Sequence, residues 1–279
     1  MNGLKTALLL GTLTGLMLFA GSAFGGQTGL VFALGMAAVM NFGAYWFSDK
    51  LVLKMHGAQP VTREQAPKLY EIMDGLTARA NLPMPKLYIV NSPAPNAFAT
   101  GRNPSHAAVA CTTGILEILD RSELEGVLAH ELSHVANRDI LISSIAATLA
   151  GAISSLAWIA QWGALLGGHS RDGERGSNPF ALLATIIIAP IAAAMIQMAV
   201  SRSREYEADA TGAKFVGNPY GLANALQKLE DAGKRRPALN VSPTMNHLYI
   251  SNPLSARSLG SLFSTHPPIQ ERIRRLLGR

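Results

Sequence analysis

The sequence has few charged residues and a single cysteine. Only 15% of its 279 residues are Asp, Glu, Lys or Arg, against about 25% in an ordinary soluble domain. With 48% hydrophobic residues, a disordered or acidic solvating chain is excluded. The lone Cys111 excludes a disulfide scaffold and a metal cluster built from several cysteines. A bound metal would therefore need histidine and carboxylate ligands.

Charge is absent from three long stretches, which are residues 6–48, 140–170 and 176–201. Each stretch is longer than the ~20 apolar residues that cross a bilayer. They predict four transmembrane helices in two hairpins, near residues 4–24, 29–47, 140–168 and 180–200. A cleaved signal peptide and the core helices of a soluble protein are alternatives, and the length of the apolar stretches argues against both.

Basic residues flank the predicted spans on one side: Lys5, Lys50, Lys54, Arg138, Arg202 and Arg204. Loops rich in Lys and Arg stay in the cytoplasm. The N-terminus, residues 49–139 and residues 201–279 are therefore predicted to face the cytoplasm. A position beside anionic lipid also accounts for the net charge of +6. Nucleic acid is not expected as a partner, because no known module or interleaved aromatics accompany the arginines after residue 271.

The two polar segments predict one interrupted α+β domain. The expected organisation is a first hairpin over 1–48, a first domain part over 49–139, a second hairpin over 140–200 and a second domain part over 201–279. Local patterns predict a helix opened by a capping box at 62–65, strands at 86–90 and 106–111, an extended piece at 96–99, a helix opened by a capping box at 122–125, and a helix at 219–232 ended by Gly233.

The helix after Ser122 contains His130-Glu131-Leu132-Ser133-His134, which is an H-E-x-x-H motif. Residues four apart lie on one helical face, so both imidazoles can reach one ion. Glu131 lies beside that ion, where it can take a proton from bound water. The alternative is a surface helix with two solvated histidines.

A third ligand must come from elsewhere, because catalytic zinc usually has three protein ligands. The extended motif with a third histidine fails, since position 140 is isoleucine. Glu205 and Asp209 share a helical face directly after the predicted fourth span, whereas Glu207 points to another face. One of the two could bind zinc while the other holds a ligand histidine. The alternative is a solvated helix beside the membrane.

Three motifs together resemble the HtpX family, bacterial membrane zinc metalloproteases related to the CAAX-processing prenyl endopeptidases. They are 130–134 with Asn137 and Asp139, the segment 201–210, and Ser264-Thr265-His266-Pro267-Pro268 with Arg272. The resemblance implies a mainly α membrane protein with a cytoplasmic, zincin-like (gluzincin) protease domain and one Zn2+ per chain. It implies that His130, His134 and Glu205 bind the zinc, that Glu131 is the catalytic base, and that Asp209 holds a ligand histidine.

The resemblance also implies roles for residues outside the metal motif. His266 and Arg272 would contact the substrate carbonyl or the region of the scissile bond in catalysis, and Asn96, Ala97, Phe98 and Ala99 would line the substrate cleft as an edge strand. From the residues alone, His266-Pro267-Pro268 is most simply a turn and helix start. Asp139 could hold a ligand or simply cap the third span.

The resemblance implies proteolysis of misfolded or damaged membrane proteins at the bacterial cytoplasmic membrane under stress. The expected partners are these substrates and the bilayer, and the oligomeric state stays open. One alternative is a membrane scaffold with a structural zinc, and another is a prenyl-protein processing protease. An intramembrane protease is disfavoured, because charged residues flank the H-E-x-x-H motif and would be costly in lipid.

Overall fold

The computed structural model describes residues 2–145, 202–235 and 267–278. Most of the predicted third span, the whole fourth span and His266 lie outside these residues. The described helices are α1 (Asn2–Met55), α2 (Pro67–Ala80), α3 (Thr113–Ile118), α4 (Arg121–Ala136), α5 (Arg202–Val216), α6 (Tyr220–Arg235) and α7 (Ile269–Leu276). The strands are β1 (Gln59–Pro60), β2 (Lys86–Val90), β3 (Ala97–Gly101) and β4 (Ala107–Thr112).

The long helix α1 is broken once, at Gly26, where φ is 56° and ψ is −139°. Glycine adopts this positive φ without the penalty that a Cβ atom imposes. Asn41 Nδ2 donates to Thr14 Oγ1 at 2.8 Å, so the two halves of α1 lie side by side. A hairpin has this arrangement, and its crossing of a membrane stays a prediction. Among the described residues, only Gly26–Met55 is a helix long and apolar enough to cross a membrane.

The sheet has the strand order β1-β2-β4-β3, which leaves β3 at one edge. β2 pairs with β4 in parallel, while β3 pairs with β4 and β1 with β2 in antiparallel fashion. The strand predicted at 86–90 is confirmed, and the one predicted at 106–111 begins one residue later. The extended piece predicted at 96–99 corresponds to β3.

The two faces of the sheet are covered by different helices. Successive side chains of a strand point to opposite faces. Phe98 therefore packs with Val52 and Leu53 at the end of α1, while its neighbours Ala97 and Ala99 face the main core, which α2, α4 and α6 share. The last turns of α1 thus belong to the globular domain, and the helix ends eight residues beyond the predicted end of the second span.

Three predicted helix boundaries are wrong. Residues 62–66 form a turn closed on the carbonyl of Thr62, and α2 begins at Pro67, whose fixed φ suits a first helical position. The capping box of α4 is formed by Asp120 and Glu123 instead of residues 122 and 125, because the Asp120 carboxylate accepts the amide of Glu123. In α6, helical structure continues through Gly233 to Arg235.

α4 packs very closely against its two neighbours. A Cβ atom on Gly126 would lie 2.4 Å from the backbone nitrogen of Leu222 in α6. One on Gly212 in α5 would lie 2.9 Å from the backbone nitrogen of His130. Distances below 3.0 Å are not tolerated by real side chains, so these glycines let the helix backbones touch. The close approach of α5 to α4 brings Glu205 to the histidines.

Candidate metal centre

The side chains of His130, His134 and Glu205 converge between α4 and α5. The two Nε2 atoms are 3.3 Å apart. Glu205 Oε2 lies 3.7 Å from His130 Nε2, and its Oε1 lies 3.6 Å from His134 Nε2. His130 and Glu205 are almost fully buried, at 2% and 3% exposure. These three residues could hold one metal ion.

The spacing of these atoms fits zinc. Zinc binds imidazole nitrogen at about 2.0–2.1 Å and carboxylate oxygen at about 2.0–2.2 Å, and a tetrahedral arrangement then separates its ligand atoms by roughly 3.3–3.5 Å. The separation of 3.3 Å between the two Nε2 atoms lies in that range, and each Nε2 atom has a different oxygen of Glu205 close to it, at 3.7 and 3.6 Å. Two imidazoles and one carboxylate also form the donor set of a hydrolytic zinc site, which leaves the fourth position open.

His130 is held by a buried pair of charges. Its Nδ1 atom lies 2.9 Å from Asp209 Oδ1. Asp209 also accepts two hydrogen bonds from Arg272, at 2.9 Å from Nε and 2.7 Å from Nη2. A donor at Nδ1 leaves the Nε2 lone pair of His130 free for a metal.

His134 is held by a second, looser pair of the same kind. Its Nδ1 atom lies 3.4 Å from Asp139 Oδ2, and Arg204 Nη1 lies 3.7 Å from Asp139 Oδ1. The side chain of Asp139 can contact His134 because α4 ends at Ala136 and Arg138 adopts a φ of 58°. The chain then turns, and a new helix begins at Ile140. Each histidine of the motif therefore has an aspartate behind it, and each aspartate has an arginine.

These contacts shift the pKa values of the charged groups. Burial alone would lower the pKa of His134, but the hydrogen bond to Asp139 and the charge of Glu205 outweigh it and raise the pKa to about 9. Burial alone would raise the pKa of Asp209, but Arg272 overrides this and holds that pKa well below its usual range. Asp209 is therefore a permanent carboxylate at neutral pH, and His134 is protonated there when no metal is bound.

Glu131 is buried beside the histidines and faces the edge strand. Its Oε2 atom accepts a hydrogen bond of 2.8 Å from the backbone amide of Ala99 in β3. Burial raises the pKa of Glu131 above its usual value, because a carboxylate is poorly stabilised away from water. A carboxyl group with a raised pKa is suited to accept a proton and pass it on.

The residues expected to contact the substrate, which are 96–99 and Arg272, have buried side chains. The side chains of Asn96, Ala97, Phe98 and Ala99 are all buried, so only their backbone can face a cleft. Asn96 is fixed by Thr112, whose hydroxyl accepts the Asn96 amide at 2.8 Å. Arg272 is fully buried behind His130. Glu207 is exposed, as predicted from its helical face.

Sequence reasoning missed two contacts of the site and left a third open. It did not anticipate Arg204 beside Asp139, or the Ala99 amide beside Glu131. The sequence left open whether Asp139 orients a metal-binding histidine, and the structure places Asp139 beside His134. The only available signal was that Arg204 and Asp139 flank the two ends of the predicted second hairpin with opposite charges.

Comparison with known proteins gives consistent matches over the whole chain. The model of peptidase family M48 matches residues 63–279. A protein named Protease HtpX homolog from Syntrophobacter fumaroxidans is 57% identical over 274 residues, which cover 98% of this chain and 97% of that relative. One of the same name from Thermococcus sibiricus is 52% identical over 275 residues, covering 98% and 94%. A crystal structure of S. mikatae Ste24p matches with a TM-score of 0.49 and 18% identity, covering 99% of this chain and 63% of that chain.

Proposed function

The chain belongs to peptidase family M48 and is a membrane metalloprotease, and on this premise we propose that it hydrolyses peptide bonds of membrane proteins with one zinc ion per chain. The zinc is held by His130, His134 and Glu205. The observation that carries the proposal is the triangle of their ligand atoms, with a buried glutamate beside it.

The protein side chains divide the chemistry between them. A bound zinc ion lowers the pKa of its water toward about 7 and polarises the carbonyl group of the substrate. Glu131 accepts the proton of the attacking water at its carboxylate and then donates it to the leaving amine. Asp209 and Asp139 fix the orientation of the two imidazoles, and Arg272 and Arg204 fix the two aspartates.

The substrates are membrane proteins with segments exposed on the cytoplasmic face of the bacterial inner membrane. Two features support this proposal. Asp139 and Arg204 belong to the site and directly flank the predicted second hairpin, so the site lies beside the membrane. The two relatives named Protease HtpX homolog match this chain over nearly their full length. The resemblance to that family implies quality control of damaged membrane proteins.

Two alternatives are separable by experiment. A scaffold with a structural zinc would have a closed coordination shell, whereas three ligands and a buried glutamate leave room for water and a base. A prenyl-protein protease would require a lipidated peptide. Comparing lipidated and unlipidated versions of one peptide tests this, and we expect both to be cleaved at similar rates.

Substitution of Glu131 tests the proposed role of the base. The protein is purified in detergent with a chelator, to prevent self-digestion, and is then loaded with zinc. We expect Glu131→Gln to bind one zinc ion per chain and to lose at least about 10²-fold in proteolysis. The matched control is Glu207→Gln, because Glu207 is exposed on the same helix as Glu205. Cleavage by Glu131→Gln at the wild-type rate would disprove the assignment.

A further inference from the structure

The end of α1 and the edge strand β3 run side by side in opposite directions. At one end the rings of His56 and Phe98 are 4.8 Å apart. At the other end the guanidinium carbon of Arg102 lies 4.7 Å from the centre of the Trp46 ring. Ten helical residues from 46 to 56 span about 15 Å, and four extended residues from 98 to 102 span about 13 Å. Because the two contacts lie at opposite ends of segments of similar length, β3 runs alongside the end of α1.

Trp46 marks the level at which α1 leaves the membrane. It belongs to a cluster of exposed aromatic side chains, formed by Phe42, Tyr45, Trp46 and Phe47. The basic residues Lys50 and Lys54 follow one and two turns later. Tyr and Trp are enriched at the membrane–water interface, with Lys and Arg just outside it. Arg102, which directly follows β3, therefore lies at the interface, and the Phe98 end of the strand points away from the bilayer.

This placement gives the catalytic glutamate a defined height. Glu131 accepts its hydrogen bond from Ala99, and Ala99 lies three extended residues, about 10 Å, from Arg102. The polar headgroup layer is roughly 5–8 Å thick on each side of a bilayer. Glu131 therefore lies just beyond the headgroups. The height is fixed, because β3 is bonded into the sheet and Phe98 packs against Val52 and Leu53 of α1.

We propose that α1 and β3 act as a ruler that holds the site about 10 Å from the interface and thereby selects the bond that is cleaved. The inference rests on the proposed function, since it concerns membrane-protein substrates. One extended residue reaches at most about 3.6 Å. A scissile bond must therefore lie at least three residues beyond the end of a substrate's transmembrane helix.

A contact at the membrane end of β3 lengthens this minimum. Ser144 Oγ lies 2.6 Å from Thr100 Oγ1 and 3.3 Å from the amide nitrogen of Gly101. It occupies the open edge of β3 between Ala99 and the interface, so a substrate cannot follow the strand there and must pass around it. We therefore expect cleavage to begin at a spacer of four to six residues.

The test uses a series of substrates in vesicles or nanodiscs. Each has one transmembrane helix and one constant cleavable sequence, joined by Gly/Ser residues so that a spacer of 0, 1, 2, 3, 4, 6, 10 or 15 residues separates the end of the helix from the scissile bond. Products are identified by mass spectrometry. We expect cleavage with spacers of 0–2 residues to be at least tenfold slower than with six. The constant sequence alone, as a soluble peptide, and the Glu131→Gln variant serve as controls.

The outcomes separate this inference from the proposed function. Equal cleavage at spacers of zero and six would overturn the ruler, and so would an onset at ten residues or more, which would place the site far from the membrane. No cleavage of any substrate, including the soluble peptide, would instead contradict the proposed proteolysis.

The depth of Trp46 provides a second readout that does not require activity. The chain has three tryptophans, so a Trp158→Phe/Trp162→Phe variant reports on Trp46 alone. We expect its fluorescence to be quenched most strongly by lipids brominated close to the headgroup. Strongest quenching by labels at the bilayer centre, or none by any lipid, would overturn the assignment of the interface.

Discussion

Arg272 binds Asp209 with two parallel hydrogen bonds in the buried interior, behind a histidine of the metal motif. Arg272 is fully buried and Asp209 is 3% exposed. A buried charge that loses its partner is strongly destabilising, whereas the intact pair mainly fixes geometry. The position of Arg272 thus points to a role in orienting His130 through Asp209.

We expect the Asp209–Arg272 pair to control zinc affinity. Asp209→Asn should weaken zinc binding by about 10–100-fold, the usual effect of removing the group that orients a ligand histidine. Arg272→Lys should also weaken it, because lysine lacks the planar fork that binds both carboxylate oxygens. Competition with a chromophoric chelator measures the affinity, with Glu207→Gln as the control. Unchanged affinity in Asp209→Asn would contradict this role.

The second aspartate should matter less than the first. Asp139 lies 3.4 Å from His134, whereas Asp209 lies 2.9 Å from His130, and longer hydrogen bonds are weaker. We therefore expect Asp139→Asn to weaken zinc binding by less than about tenfold. The same chelator competition measures it. A loss larger than that of Asp209→Asn would show that the observed distances do not rank the two contacts.

Zinc binding should release a proton from His134. Without metal its pKa is raised to about 9, so it is charged at pH 7, and a metal binds only the neutral imidazole. Zinc affinity should therefore rise as the pH increases from 7 to 9. The charged imidazole stabilises the metal-free fold fully below pH ~6.5, and this contribution is lost as the pH rises through about 9.

Calorimetry at pH 7 in buffers of different ionisation enthalpy counts the released protons. We expect about one proton per zinc ion from this group. Asp139→Asn replaces the charged acceptor that raises the pKa of His134 with a neutral amide, and it should therefore reduce the count. Zinc uptake without proton release would mean that His134 is already neutral.

The close packing of α4 against α6 predicts the effect of one added methyl group. Gly126→Ala would place a Cβ atom 2.4 Å from the Leu222 nitrogen, and overpacking of this kind costs about 1–3 kcal/mol or more. Gly75→Ala is the matched control. The nearest atom to its Cβ would be 3.8 Å away, and alanine favours an exposed helix position by about 0.5–1 kcal/mol. Thermal unfolding in detergent should show opposite shifts for the two variants.

Local patterns in the sequence predicted the parts of the site that lie within one element. The four-residue spacing of His130 and His134 determines that both face the same side, whatever surrounds the helix. The strand at 86–90 follows in the same way from its alternation. Glu205 required a further argument, from the two predicted membrane crossings that separate it from His134.

Contacts between elements that are distant in the sequence could not be predicted from local patterns. The Ala99 amide meets Glu131 only because β3 lies at the edge of the sheet nearest α4. Asp139 meets His134 only because the backbone turns at Arg138. The predicted start of α4 at Ser122 is two residues too late, because Asp120 accepts the Glu123 amide and the Ser122 hydroxyl donates to that same carboxylate instead of capping the helix.

The residues of the metal centre lie far apart in the sequence, so they are synthesised at different times. The histidine pair on α4 is made first, Glu205 and Asp209 follow only after the predicted second hairpin, and Arg272 on α7 comes later still. A nascent chain that has reached Asp209 carries all three ligands but lacks the cation that neutralises the aspartate behind His130. The pair of charges that orients His130 is therefore complete only after α7 has been made and has packed behind α5.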